Sequence, residues 1–199
     1  MLNNRCHASV VEQTYESWEL ILVDDGSTDA SGVLCDTYHN THPDKIRVVH
    51  QENAGVLYAR RAGMERATGE YLCFLDSDDY WDSSFLGEID EYVEEYNPDM
   101  IRFGYRSVDR FGNVIAEYIP VQNIQYIERP HFQNVYTQLM QGVFSSLCTG
   151  IVRKDLLDLE GDYSQYQRVF KGEDFLQNLA FVDNASSVLF VPKSYYNYL

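Results

Sequence analysis

Residues 70–82 read EYLCFLDSDDYWD. The apolar run from Tyr71 to Leu75 has the length and composition of a buried strand, and it stops at Asp76, Ser77, Asp78 and Asp79. Carboxylates packed this closely repel one another. They are stable either in open water or beside something positive. Whether this strand belongs to a sheet that gathers several such ends on one rim decides both the fold and the site.

Reading outward, the pattern repeats. Glu19–Val23 (ELILV) is a second apolar run, and it also ends in carboxylates, Asp24 and Asp25, within DDGSTD. The Gly, Ser, Thr and Asp residues there signal a turn and a helix start. A helix is expected through Leu34 and Tyr38, then a strand at Ile46–His50, then the turn ENAG and a helix from Val56 to about Ala67. Gly69 is placed to stop it. Phe85–Tyr96 carries Phe85, Leu86, Ile89, Val93 and Tyr96 on one side, an amphipathic helix, and Met100–Tyr105 follows as a strand. Strands alternating with helices mean an α/β sheet, parallel in this part. Ligands of such sheets sit beyond the carboxyl ends of the strands, so both acidic clusters fall on the ligand rim.

The second half is less regular. DRFGNV suggests a hairpin turn, Pro130–Gln141 a helix and SSLCTGIV a strand. GEDFLQNLAFV is an acidic turn running into a helix, and SSVLFV and SYYNYL are two closing strands. Residues 1–13 read as a helix that runs directly into the first strand, with no strand before it.

Composition narrows the classes of function. The net charge of −16 repels duplex DNA and anionic lipid, so no nucleic-acid partner is expected. No run of about 18 apolar residues is present to span a membrane. The first residues lack a basic-then-apolar leader, which points to the cytoplasm. The four cysteines form no C-x-x-C pair, and HNTH at 39–42 has no third metal ligand in view. The seven acids between Asp82 and Asp99, with no base among them, read as a solvated helix face.

D-x-D at a strand end suits a hard divalent cation with oxygen ligands, but the motif alone is equally a solvated turn. A calcium loop is excluded, because its sixth and twelfth positions hold Trp81 and Gly87 rather than Gly and Glu. A phosphatase-like motif is excluded by Tyr80, where Thr or Val is needed.

QTYESWELILVDDGSTDAS, NAGVLYARRAGMERATGEYLCFLDSDDYW, GEDFLQNL and SYYNYL, in that order over residues 8 to 199, resemble bacterial family 2 glycosyltransferases. The resemblance implies an α/β GT-A fold, a Rossmann-like, mostly parallel sheet flanked by helices with a smaller mixed acceptor-side part. It implies one domain over 1–199, with a nucleotide-sugar-binding half at 1–106 and an acceptor-side half at 107–199. It implies sugar transfer with inversion from a nucleotide-diphosphate donor, UDP-linked, in surface polysaccharide synthesis. The acceptor would be a saccharide or lipid-linked saccharide, met at the inner face of the membrane.

By the same resemblance Asp25 meets the uracil edge and Asp24 supports the turn. Gly55 and Arg60 lie along the ribose and diphosphate. Asp76 contacts ribose or metal-bound water, Asp78 ligates Mn²⁺ or Mg²⁺, and Asp174 is the general base with Glu173 beside it. Phe175 and Phe170 would shield that base, and Trp81 would face the acceptor. Asp79 and Asp82 would cap the acidic helix. The family's usual first strand is absent, which leaves an edge and an apolar helix face, so a homodimer is expected to cover them. The alternative is an inactive nucleotide-sugar-binding remnant or a structural module.

Overall fold

The structure, a computed structural model, describes residues 4–157, 159 and 172–199. Its first half runs α1 (Asn4–Val11), β1 (Leu20–Asp25), α2 (Ser31–Thr41), β2 (Ile46–Gln51), α3 (Val56–Arg66), β3 (Tyr71–Cys73), β4 (Tyr80–Trp81), α4 (Phe85–Tyr96) and β5 (Met100–Val108). The second half adds β6 (Val114–Tyr118), β7 (Gln125–Glu128), α5 (Gln133–Met140), β8 (Gly150–Arg153), α6 (Glu173–Asn184) and β9 (Ser187–Tyr198). None of the described helices is long and apolar enough to cross a membrane.

β1 and β2 pair in parallel. The larger sheet is mixed, in the order β3-β8-β5-β9-β4, with β6 on β5 and β7 on β9. Period-two alternation gives it two apolar faces. Met100, Val188 and Phe190 pack with Val135, Leu139, Phe181 and Val182 of α5 and α6. Their neighbours Ile101, Leu189 and Val191 point the other way, onto Phe85 and Ile89 of α4 and Val10 of α1. Helices therefore cover both faces, as an α/β chain requires.

The expected helices and strands of the first half are all present, and α4 has the bounds its apolar stripe suggests. Three elements of the second half differ. Pro130–Gln141 divides into a 3₁₀ turn, Arg129–His131, and α5. SSLCTGIV is a 3₁₀ turn, Leu147–Thr149, followed by β8. The two closing strands are one, β9, running through Pro192 because its register with β5 slips between Arg102 and Gly104. A bulge leaves the proline without a ladder bond to make.

β1 and β3 do not pair with each other. Their amino ends are tied by Glu19 Oε1, which accepts from Thr68 N, from Thr68 Oγ1 at 2.8 Å and from Gly69 N at 2.8 Å. Between the strands lies a cavity of about 690 Å³, lined by Leu20–Val23 on one side and Tyr71–Leu75 on the other. Every residue of β1 is consequently half-buried, where its sequence suggests a fully buried strand.

β5 also carries a charge into the core. Arg102 is 2% exposed. Its guanidinium donates to Asn178 Oδ1, to the carbonyls of Phe144 and Ser146, and to Thr149 Oγ1. Burial lowers its pKa to about 10. Gly150 leaves the room it needs: a Cβ there would lie 2.5 Å from Arg102 Nη1 and 2.6 Å from Ile101 O. Gly150→Ala is expected to cost about 1–3 kcal/mol by overpacking, read as a lower urea midpoint at unchanged m-value.

Candidate functional site

The turn after β1 is built by its own carboxylates. Asp25 Oδ1 accepts from Gln51 Nε2 at 2.7 Å and from Ala54 N at 2.9 Å, and Oδ2 accepts from Gly55 N at 2.8 Å. Asp25 thus fixes the start of α3, where Gly55 is the N-cap at φ 90°, a conformation that favours glycine. Asp24 Oδ1 accepts from Ser27 N at 3.1 Å, and its Oδ2 lies 2.9 Å from His50 Nδ1. The other His50 nitrogen lies 2.9 Å from Asp36 Oδ1 on α2. Hydrogen bonds from Ser27, then His50, hold Asp24 below the usual carboxylate range.

The acidic run after β3 divides. Asp79 is buried, its oxygens accepting from Tyr196 OH at 2.7 Å and Leu199 N at 3.0 Å. Burial raises its pKa, and Asp78 and Asp76 add to the rise. Tyr196 OH also accepts from Asp76 N at 3.2 Å, so one phenol closes the turn from both ends. Asp76 is left partly exposed and Asp78 exposed. The Cys6 thiol, 3.6 Å from Asp76 O, is pushed up to about 12 by burial and by Asp79, Asp76 and Asp78. This corner is strongly negative.

A cation answers that charge. Arg60 comes from the second turn of α3, and its side chain is 10% exposed. Its guanidinium donates to Asp174 Oδ1 and reaches Asp76 Oδ1 at 3.5 Å. Burial works to lower the Arg60 pKa, but the anionic groups around it, Asp174 first, together raise it. Asp174 lies in the first turn of α6, where the helix dipole also favours a carboxylate. Its second oxygen accepts from Leu147 N at 3.2 Å. The segment bearing Leu147 is held by Arg102 and by Asn178, which donates to Ser145 O at 2.8 Å.

Asp25 and Gly55 therefore share one end of α3, with Asp24 beside them in the same turn but facing His50 and α2, and Arg60 on α3 joins Asp76 and Asp174. Several expectations are corrected. Trp81 is 6% exposed and its ring packs 4.8 Å from Phe85, so it offers no face to a sugar. Asp79 and Asp82 do not cap α4, whose N-cap is Ser84 without a side-chain bond. Asp82 instead pairs with Arg106 at 2.7 Å and accepts from Asn197 at 3.0 Å. Glu173 Oε2 is buried without a hydrogen-bond partner among the described residues. Phe170 lies outside them. Tyr196 and Asn178 stand within SYYNYL and GEDFLQNL, but their roles, like those of His50 and Arg102, are not legible in sequence because they act across long sequence separations.

No group of three or more His, Cys, Asp or Glu suited to a metal occurs among the described residues. Asp76 and Asp78 supply carboxylate oxygens alone. That set fits an ion such as Mg²⁺ or Mn²⁺, which takes one or two carboxylates and completes its shell with substrate phosphates and water.

A family model described as Glycosyl transferase family 2 matches residues 4–158. Glycosyltransferase GlyA of Streptococcus pneumoniae serotype 4 is 30% identical over 98% of the chain, which spans 28% of GlyA. A putative teichuronic acid biosynthesis glycosyltransferase, TuaG of Bacillus subtilis, is 36% identical over 56% of the chain and 44% of its own length. Among solved structures, S. aureus TarS 1-349 superposes with a TM-score of 0.76 at 21% identity, over 98% of this chain and 55% of that one. TarS 1-349 in complex with UDP-GlcNAc gives 0.74 at 22% identity, over 96% and 53%.

His50 provides a test of the β1 turn. Hydrogen bonds to Asp36, then Asp24, raise its pKa above 6.5. Its stabilisation is complete below that value and is lost as pH rises through the folded-state pKa. The side chain is 48% exposed, so screening keeps the contribution small. His50→Gln should cost less than about 1 kcal/mol at about pH 6 and nothing at about pH 9. An NMR titration should place the imidazole midpoint above 6.5 and return it towards 6.5 in Asp36→Asn.

Proposed function

Because the chain belongs to glycosyl transferase family 2, we propose that it transfers a sugar from a UDP-linked donor to an acceptor hydroxyl, with inversion at the anomeric carbon. The observation that carries this reading is the Arg60 guanidinium, which draws a carboxylate from the β3 turn and one from the start of α6 to one point on the rim. A donor-side group and a proton acceptor are needed together in a single displacement. The fold shared with TarS is GT-A, and the TarS complex with UDP-GlcNAc supports a UDP-sugar donor. The name of TuaG supports a place in surface polysaccharide synthesis.

In this reading Asp24, Asp25 and Gly55 shape the nucleoside end of the donor site, and Arg60 lies along the diphosphate. Asp76 and Asp78 would hold Mn²⁺ or Mg²⁺, which would offset the negative charge gathering on the leaving diphosphate. Asp174 accepts the acceptor hydroxyl's proton. The hydroxyl oxygen forms its bond to the anomeric carbon from the face opposite the departing phosphate oxygen, the carbon–phosphate-oxygen bond breaks, and its electron pair leaves on UDP. One such displacement inverts configuration and needs no sugar–enzyme intermediate. Residues 1–106 supply the donor groups, and 107–199 supply Asp174 and the acceptor side.

A second reading, a nucleotide-sugar-binding module without turnover, draws on the cavity between β1 and β3, next to the donor turn. Calorimetry with UDP and Mn²⁺, followed by a donor-hydrolysis and transfer assay, separates the two. Binding with turnover is expected; binding without turnover establishes the module, and no binding removes both. Asp174→Asn should lower transfer at least about 100-fold while UDP still binds. Asp78→Asn should abolish the dependence of UDP binding on Mn²⁺. Undiminished transfer in the first variant, or undiminished Mn²⁺ dependence in the second, assigns the role elsewhere.

A further inference from the structure

Arg60 has two claims on it that cannot both be met. In the structure its guanidinium is committed to Asp174 Oδ1, with Asp76 Oδ1 at 3.5 Å. The proposed reaction needs the same guanidinium along a diphosphate and needs Asp174 free to take a proton. Both Asp174 oxygens are already accepting, one from Arg60 and one from Leu147 N.

We infer that Arg60 is a gate: it holds Asp174 in reserve until the donor's diphosphate draws the guanidinium away, so the base is released only when a donor is present. The inference rests on the donor and base roles proposed above. The surroundings are suited to such an exchange. Arg60 is buried enough that it must keep an anionic partner, yet Asp76 and Asp174 are themselves 45% and 24% exposed at their side chains, so a phosphate can approach from the rim. Leu147 N is a main-chain donor on a segment pinned by Arg102 and Asn178, so Asp174 keeps its position when Arg60 leaves. Asp76 borders the same guanidinium, which places the ion-binding turn next to the exchange. The functional consequence is protection of the donor: without a diphosphate in place, Asp174 is not free to activate water or a hydroxyl.

If donor and Asp174 compete for Arg60, then removing the Asp174 charge must favour the donor. Calorimetry with UDP and Mn²⁺ on the whole protein, with Asp174→Asn, Arg60→Ala and the double variant, reads this directly. Asp174→Asn is expected to bind UDP about 3- to 10-fold more tightly than the native protein, the size of a freed ion pair. Arg60→Ala should bind more weakly, and the double variant should match Arg60→Ala, because without the guanidinium there is nothing to release. Asp174→Ser, read in the same way, covers a failure of the asparagine variant to fold. Unchanged or weaker binding by the Asp174 variants overturns the gate and leaves the donor reading intact. So does equal tightening with and without Arg60, which would mark a general field effect. Failure of the native protein to bind UDP with Mn²⁺ overturns the donor reading, and the gate with it.

Discussion

The guanidinium of Arg60 stands 114 residues from Asp174 and 16 from Asp76 along the chain, and touches both. A strongly acidic protein can gather carboxylates on one rim only if their repulsion is offset where they meet. Arg60 does this from inside the fold, its side chain largely buried and its guanidinium meeting both carboxylates. The start of α3 is set in turn by Asp25, through Ala54 and Gly55. The helix is thus a strut: one end is fixed by the first acidic turn, and its second turn delivers the cation that the second acidic turn needs. β1, β3 and α6 owe their relative placement at the rim to this arrangement.

Much of the fold could be read in the sequence because its first half is locally encoded. Apolar runs of strand length, turns rich in Gly and Asp, and the stripe of α4 each carry their own signal within a few residues. The second half depends on partners far away. Pro192 breaks the sequence pattern of β9 but not the strand, since the slipped register opposite Gly104 absorbs it. SSLCTG contains enough apolar residues for a strand, yet Ser146 and Arg102 shape it into a 3₁₀ turn. Trp81 and Asp79 stand beside an exposed metal-type motif and are both buried, because β4 pairs with β9 there and brings Tyr195, Tyr196 and Asn197 against them.

The acidic positions of the site were legible as motifs, and a split between Asp78 and Asp79 was expected; its cause was not. Asp79 is taken out of the cluster by Tyr196 of the last strand rather than by capping the acidic helix. Asp25 reads as a ligand contact, and the structure shows its oxygens already engaged in building the turn. Sequence names the carboxylates, while long-range hydrogen bonds decide which of them are turned to the rim.

The segment from Phe144 to Thr149 is held in an instructive way. Arg102 and Asn178 grip it mainly through the carbonyls of Phe144, Ser145 and Ser146, atoms that every amino acid possesses. Its path is therefore written in the β5 and α6 residues that grip it, rather than in its own side chains. Among related chains, such a segment is free to vary its side chains beside Asp174 without losing its course, and the chemistry lining that part of the rim can diverge while the backbone that positions the carboxylate stays the same.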